Sequence, residues 1–377
     1  MERKKIRIGV IGVGIIGKAH LDNYAGIDGA EVVAICDINE REALQVAEKY
    51  GIAHVYTDYK KLLARDDIDA VDVCLHNNFH APLTIAALQA GKHVYCEKPI
   101  AGSYYDGQKM LEAARECGKM LHIQLGLLYK KETKAAKALI DAGQLGKLFH
   151  ARSSGFRRRG RPYVDGFGTS NFTRKQSAGG GALLDMGVYH IAQMLYLLGV
   201  TSVQRVTGKL IQEMEMDPQR QADSGFDVEE LALGFVTFEG GLTLDIFEAW
   251  AVHLGGVEGS SIIGSKGGIR LPSYHSAEQT ADFSFHTTVA DMDLDSRIDL
   301  NRMDIRWHRM RENEDAYDSS QQHWIAALQG RVELLPTADI ALATMLISEG
   351  LYLSDTLGRE TTAAEIIANS QSLAIRM

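Results

Sequence analysis

Residues 6–20 read IRIGVIGVGIIGKAH, and this stretch decides the fold. IRIGVI is a β-branched run of the kind that forms a buried strand, and GIIGKAHLDNYAG, residues 14–26, reads as a helix. A G-x-G-x-x-G pattern made of Gly12, Gly14 and Gly17 joins them, the strand-to-helix context in which that pattern marks a dinucleotide-binding turn. Gly12 permits the tight turn, Gly14 lets the backbone approach a pyrophosphate, and Gly17 lets the helix lie close to the sheet. The phosphates are then expected on the helix N-terminus, beside Ile15 and Ile16. Asp37 closes the next strand 20 residues past Gly17. A carboxylate there can bind both ribose hydroxyls and repel a 2′-phosphate, so NAD is expected rather than NADP. The alternative is that these glycines only shape a turn and Asp37 is a solvated loop acid.

Outward from this stretch, strands and helices alternate in the manner of a doubly wound parallel sheet. The strands are AEVVAICD (30–37), AVDVCL (70–75), HVYCE (93–97) and MLHIQLG (120–126), with helices at about 40–50, after NNFHAP (77–82), and at 104–117. A Rossmann domain over residues 1–126 follows. After a connecting helix at about 130–142, the texture changes to longer strands and glycine turns: KLFHARSSGF (147–156), VEELALGFVTF (228–238), LTLDIFEAWAV (242–252) with Gly240-Gly241 as a hairpin signal, and SSIIGSKGGIRL (260–271). Residues 127–377 are therefore expected as an α+β domain with an open, mostly antiparallel sheet and C-terminal helices returning toward the first domain. MDPQRQADSG (216–225) and residues 273–318 are the least periodic parts and are expected as loops with short elements.

The 377 residues carry a formal net charge of −9, which gives no reason to expect nucleic acid or an anionic membrane as partner. No uninterrupted apolar run is long enough to span a bilayer. The basic, then apolar N-terminus imitates a secretory signal, but Gly9, Gly12, Gly14 and Gly17 interrupt it and no A-x-A-like site follows. The four cysteines are widely spaced and offer no C-x-x-C pair, so neither metal nor redox couple is expected and a cytoplasmic setting fits.

Chemistry is expected where HVYCE delivers Glu97-Lys98-Pro99 at the carboxyl edge of the sheet, the edge that binds ligands in open parallel sheets. The proline disfavours helix at Lys98, placing the lysine on extended backbone. There its charge can favour the alkoxide character that builds on a substrate oxygen as hydride leaves carbon. A surface lysine at a strand end is the competing reading. A second constellation is GGGALLDMGVYHI, residues 179–191, with Asp185, Tyr189 and His190 on one or two helical turns. On an α-helix, residues four apart share a face and residues five apart diverge, so Asp185 pairs with Tyr189. His190, with a reference pKa of about 6.5 against about 10 for a phenol, titrates in a more useful range and could reach the site from the helix rim. The competing reading is that both are core residues with satisfied polar tips.

GVGIIG, CEKPI and GGGALLDMGVYHI, in this order, together with HWIAALQGRVELLPTADIALATMLISEGLYLSDTLGRE (323–360), resemble the Gfo/Idh/MocA oxidoreductases over nearly the whole chain. The resemblance implies an NAD(P)-dependent enzyme acting on sugars, cyclitols or their derivatives, forming homodimers or homotetramers through the second domain's sheet. It implies Lys98 as catalytic lysine, Asp185 as the acid of the glycine-rich motif, and Tyr189 at the proton-handling position where many members have histidine. The loop holding Asn77, Asn78 and His80 borders nicotinamide and ribose in such proteins, so Asn77 and His80, with Glu97 and Lys98, are expected at the cofactor. The sequence departs from the family pattern at LGLLYKKETKAAK, where Tyr129 and Lys130 stand in place of an aromatic preceded by arginine or asparagine.

FRRRGRPYVDGFG (156–168) is the one strongly basic stretch. Arg157 and Arg158, with Tyr163, could bind an anionic group on the substrate by bidentate hydrogen bonds, or the stretch could be solvated or face another subunit. The resulting expectation is an NAD-dependent dehydrogenase of a secondary hydroxyl. Two rivals are an NAD-dependent glycosidase that oxidises transiently and eliminates the aglycone, and a dinucleotide-binding regulator without turnover.

Overall fold

The computed structural model describes residues 4–166, 168–272, 283–303 and 312–377. The chain divides into two compact units: Met1–Leu125 with His308–Asp339 and Ser372–Met377, and Gly126–Trp307 with Ile340–Gln371. The segment 127–377, expected as one domain, thus gives residues 308–339 and 372–377 to the first unit. Packing explains the reassignment, because Trp324 and Ile325 of helix Ser320–Leu328 are buried in the same core as Ile8, Val10, Leu21 and Tyr24.

The first unit holds six parallel strands: β1 (Ile6–Ile11), β2 (Ala30–Cys36), β3 (His54–Tyr56), β4 (Ala70–Val73), β5 (His93–Cys96) and β6 (Leu121–Ile123). Their order is β3-β2-β1-β4-β5-β6. The direction of winding therefore reverses between β1 and β4, and such a switch point opens a ligand crevice at the carboxyl ends of the strands. Central strands are covered on both faces, which is why β1 and β4 read as nearly unbroken apolar runs. Helix Glu40–Tyr50 starts on an Asn39 cap and stops at left-handed Gly51; helix Tyr104–Cys117 starts on Ser103 and stops at left-handed Gly118.

The second unit is built on nine strands: β7 (Leu148–Phe156), β8 (Val203–Ile211), β9 (Leu231–Phe238), β10 (Thr243–Ala249), β11 (Ser261–Gly264), β12 (Gly267–Arg270), β13 (Ser284–Val289), β14 (Met292–Arg297) and β15 (Thr361–Thr362). Their order is β14-β13-β12-β11-β7-β10-β9-β8-β15, antiparallel except for β7 with β10. Gly208 and Gly234 sit side by side where helix Thr337–Leu357 crosses the sheet, and a Cβ on either would meet Leu351 at 2.7–2.8 Å. That helix is long and apolar enough to cross a membrane by length and composition, but Ile347 and Leu351 are fully buried in protein.

Two expected loops contain regular structure. Pro218–Ser224 is a helix capped by Asp217, whose carboxylate accepts the Gln219 and Arg220 N–H groups, and it ends at left-handed Gly225. Within 273–318, β13 and β14 form a hairpin whose turn residues Ala290 and Asp291 both have positive φ; residues 273–282 and 304–311 of that expected loop lie outside the described residues. All four cysteines are free thiols.

Candidate active site

At the glycine-rich turn, Gly12 has φ +93°, and a Cβ there would lie 2.4 Å from the Cys74 carbonyl oxygen. A Cβ on Gly17 would come within 2.1 Å of the Gly12 carbonyl oxygen. Beyond Gly14 the space is open, and no side chain caps helix Ile15–Ala25, whose first turn carries no acid. Ile15 and Ile16 are exposed. Asp37 is tied to the turn: its Oδ2 accepts the Val13 N–H at 2.9 Å and its Oδ1 the Asn39 N–H at 2.9 Å. This cradle fits a dinucleotide, with open N–H groups for the phosphates and a fixed carboxylate for the ribose. Gly17→Ala pits a methyl against rigid backbone. The expected result is destabilisation of at least about 1–3 kcal/mol and loss of dinucleotide binding, read by thermal melts and NADH fluorescence titration.

At the end of β5 the chain bends at Lys98 rather than continuing extended, and the Lys98–Pro99 peptide is cis. Lys98 is half-buried. Glu97 does not face outward as a cofactor contact would. Its Oε2 accepts the Lys98 backbone N–H at 3.0 Å and its Oε1 stands 2.8 Å from His20 Nε2. Burial would raise the Glu97 pKa, but the hydrogen bond and charge of His20 hold it below the ordinary carboxylate value. His80 is also turned inward, fully buried, with Nδ1 2.7 Å from the Pro99 carbonyl and Nε2 3.0 Å from the Leu75 carbonyl. Burial lowers its pKa. The neutral ring has one N–H to donate to either carbonyl, and it fills the space between the Lys98–Pro99 bend and the residue after β4. Asn77 opens helix Asn77–Gln89 at the same edge.

In the second unit, Leu183–Gly187 is a π-helical turn running into helix Val188–Leu198. The wider π turn leaves residues four and five apart on either side of the starting direction, so helix geometry separates Tyr189 from His190 less sharply at this place than on a regular α-helix. Burial separates them instead. Tyr189 is half-buried, whereas His190 is 4% exposed with Nδ1 2.9 Å from Glu248 Oε2. Glu248 is fully buried and also accepts the Ser153 hydroxyl at 3.0 Å. His190 thus packs onto the sheet, where a Cβ on Gly155 would strike it at 2.2 Å. Asp185 Oδ2 accepts the Trp250 indole N–H at 2.9 Å, with Arg157 Nη1 at 3.8 Å.

The glycines of the same motif serve a residue the sequence did not flag. Glu229, buried, accepts the Gly181 N–H at 2.9 Å and the Leu183 N–H at 3.0 Å, and Tyr352 donates its hydroxyl at 2.9 Å. A Cβ on Gly180 would lie 1.8 Å from the Tyr352 hydroxyl oxygen, and one on Gly181 1.9 Å from the Glu229 carbonyl. Burial pushes the Glu229 pKa up.

The basic stretch divides. Arg161 is buried in ion pairs with Asp165 and Glu230, both at 3.1 Å, and is structural. Arg157 faces Asp185, and burial lowers its pKa. Arg158 and Arg159 are exposed and with His253 line a cavity of about 480 Å³. Tyr163 is 43% exposed at φ +62°, in a turn closed by the Val164 N–H on the Pro162 carbonyl.

One unit carries a doubly wound dinucleotide cradle with a lysine at its carboxyl edge, and the other presents an acid and a phenol on consecutive turns. Residues 6–125 match the oxidoreductase family with NAD-binding Rossmann fold, and residues 133–270 match the GFO/IDH/MocA C-terminal domain. The chain is similar to D-glucoside 3-dehydrogenase of Escherichia coli, 31% identical over 288 residues, which covers 73% of this chain and 79% of that one. Inositol 2-dehydrogenase of Salmonella typhimurium is 38% identical over 153 residues, 39% of this chain and 45% of the relative. Among solved structures, levoglucosan dehydrogenase in complex with NADH superposes with a TM-score of 0.74 at 21% identity, covering 96% and 99% of the two chains. An oxidoreductase of Agrobacterium radiobacter in complex with NAD+, L-tartaric acid and magnesium gives 0.75 at 20%, covering 96% and 100%. The chain belongs to the Gfo/Idh/MocA family of oxidoreductases, and its first unit is an NAD(P)-binding Rossmann domain.

Proposed function

We propose that the protein is an NAD-dependent dehydrogenase of a secondary hydroxyl on a sugar, glycoside or cyclitol. The observation that carries this reading is the likeness to a glucoside dehydrogenase over 288 residues, in a chain whose glycine-rich turn fits a dinucleotide. Asp37, fixed by the Val13 and Asn39 N–H groups, favours NAD because a carboxylate there repels a 2′-phosphate. When bound, NAD supplies the acceptor for the hydride that leaves the substrate carbon. Lys98 donates a hydrogen bond to the substrate oxygen and stabilises the negative charge that grows on it. The hydroxyl proton passes to Tyr189, which Asp185 helps to orient from the preceding turn. Arg157, Arg158 and Tyr163 are proposed to border the substrate, Arg158 receiving any acidic group. The open face of the nine-stranded sheet, with Phe235 and Ile263 exposed among the Arg152–Asp245 and Glu258–Arg270 ion pairs, is the proposed seat of a homodimer or homotetramer. A cytoplasmic location is proposed on the four free thiols.

The test is purified enzyme with NAD or NADP and a panel of neutral sugars, uronic acids, glycosides and inositols. Reduced cofactor is expected to accumulate with NAD and at least one panel member. Aglycone release without reduced cofactor identifies a glycosidase instead, and binding of NAD without turnover of any panel member identifies a regulator.

A further inference from the structure

Beneath Lys98 lies a buried polar chain. His20, on the inner face of helix Ile15–Ala25, is 4% exposed and stands between two acids: Nδ1 is 2.9 Å from Asp72 Oδ2, and Nε2 is 2.8 Å from Glu97 Oε1. Asp72 belongs to β4 and is fully buried; Glu97 follows β5 and is 6% exposed. The Cys74 Sγ lies 3.2 Å from both His20 Nδ1 and Asp72 Oδ1, and the Tyr95 ring meets the imidazole edge-on at 5.6 Å. Burial alone would strip the ring of its second proton, but Asp72, then Cys74, outweigh it and hold the His20 pKa far above its usual value. With a carboxylate on each side, both nitrogens donate. The remaining Glu97 oxygen is then free to accept the Lys98 backbone N–H at 3.0 Å.

We infer that His20 is a positioning residue for Lys98, acting through Glu97. The physical reason is that a buried carboxylate needs a donor for each oxygen or it reorients. Glu97 meets that need with one side chain and one backbone group. Remove the imidazole and the oxygen it satisfied turns toward whatever donor is nearest, which releases the Lys98 backbone and leaves a buried charge uncompensated. The same three groups, His20, Asp72 and Cys74, lie close enough to hold a metal ion. Their mutual spacings are those of hydrogen bonds, and the inference assigns the cluster to a proton rather than to a metal.

The inference rests on Lys98 being the catalytic lysine proposed above, so the experiment includes a readout that needs no turnover. The enzyme is reductively dimethylated with 13C, and the Lys98 resonance, identified by its absence in Lys98→Arg, is titrated in wild type, His20→Gln, Glu97→Gln and the double variant. Each single variant is expected to move the Lys98 titration by about half a pH unit or more. Each is also expected to lower kcat about tenfold with KM within about threefold. The double variant is expected to be no worse than either single one, because both cut the same chain. A Lys98 resonance that does not move, effects on kcat that multiply, or stoichiometric metal in the purified protein overturns the inference. Should His20→Gln fail to fold, Glu97→Gln decides alone, by whether the Lys98 resonance moves. A wild type that turns over no substrate fails the dehydrogenase reading, while the Lys98 titration still judges His20.

Discussion

Lys98→Met is expected to cut kcat by about 10³-fold or more while leaving the protein folded and competent to bind dinucleotide. Methionine keeps an unbranched side chain that matches all of lysine's but its terminal nitrogen, so packing at the β5 edge changes little. The backbone N–H that Glu97 accepts at 3.0 Å is untouched. What disappears is the ammonium, which is proposed to donate to the reacting oxygen and to oppose the charge that develops on it. Loss of one such donor costs about 10²–10³ in rate where the charge is otherwise uncompensated, and here the whole cation goes with it. The measurement is kcat with the best member of the substrate panel, alongside a thermal melt and an NADH titration. Activity within tenfold of wild type, with both controls normal, would sink the assignment of Lys98.

The parts of this molecule legible in the sequence are those where local chemistry decides the outcome. Gly12, Gly14 and Gly17 punctuate a strand and a helix, and each is needed for a reason local to the turn: a positive φ, open space, a close approach. Gly240 and Gly241, both at positive φ, likewise mark the β9–β10 hairpin. The β13–β14 hairpin was hidden because its turn residues are Ala290 and Asp291, which carry no strong turn signature although they adopt positive φ. The helix at 218–224 had a readable start and stop in Asp217-Pro218 and Gly225. Partners distant in sequence were the least legible. Glu97 and His80 sit at the edge where the sequence places them, yet His20, 77 residues before Glu97, turns its carboxylate inward, and Pro99 claims His80. Nothing in the sequence shows which core receives Trp324. Arg161, part of a run that reads as basic surface, is consumed by Asp165 and Glu230.

Tyr189→Phe and His190→Ala are expected to fail in opposite ways, and the contrast decides which residue handles the proton. Tyr189→Phe removes one oxygen from a half-buried ring, so stability is expected to change by less than about 1 kcal/mol. If the phenol takes the hydroxyl proton, kcat falls by about 10²–10⁴, the span expected for a positioned acid–base group. His190→Ala acts elsewhere: it leaves Glu248, fully buried, with the Ser153 hydroxyl but without its imidazole partner. Removing one member of a buried pair costs about 3–5 kcal/mol, so the variant is expected to melt far earlier while each folded molecule keeps a substantial part of its activity. The π turn at Leu183–Gly187 makes the experiment necessary, because it weakens the helical periodicity that ranks Tyr189 ahead of His190. His190→Gln sharpens it further. An amide can still donate to Glu248 and so preserve the fold, but it cannot take up a proton at neutral pH. A folded, inactive His190→Gln beside an active Tyr189→Phe would transfer the proton to His190, and it would require the imidazole to leave Glu248 during each turnover.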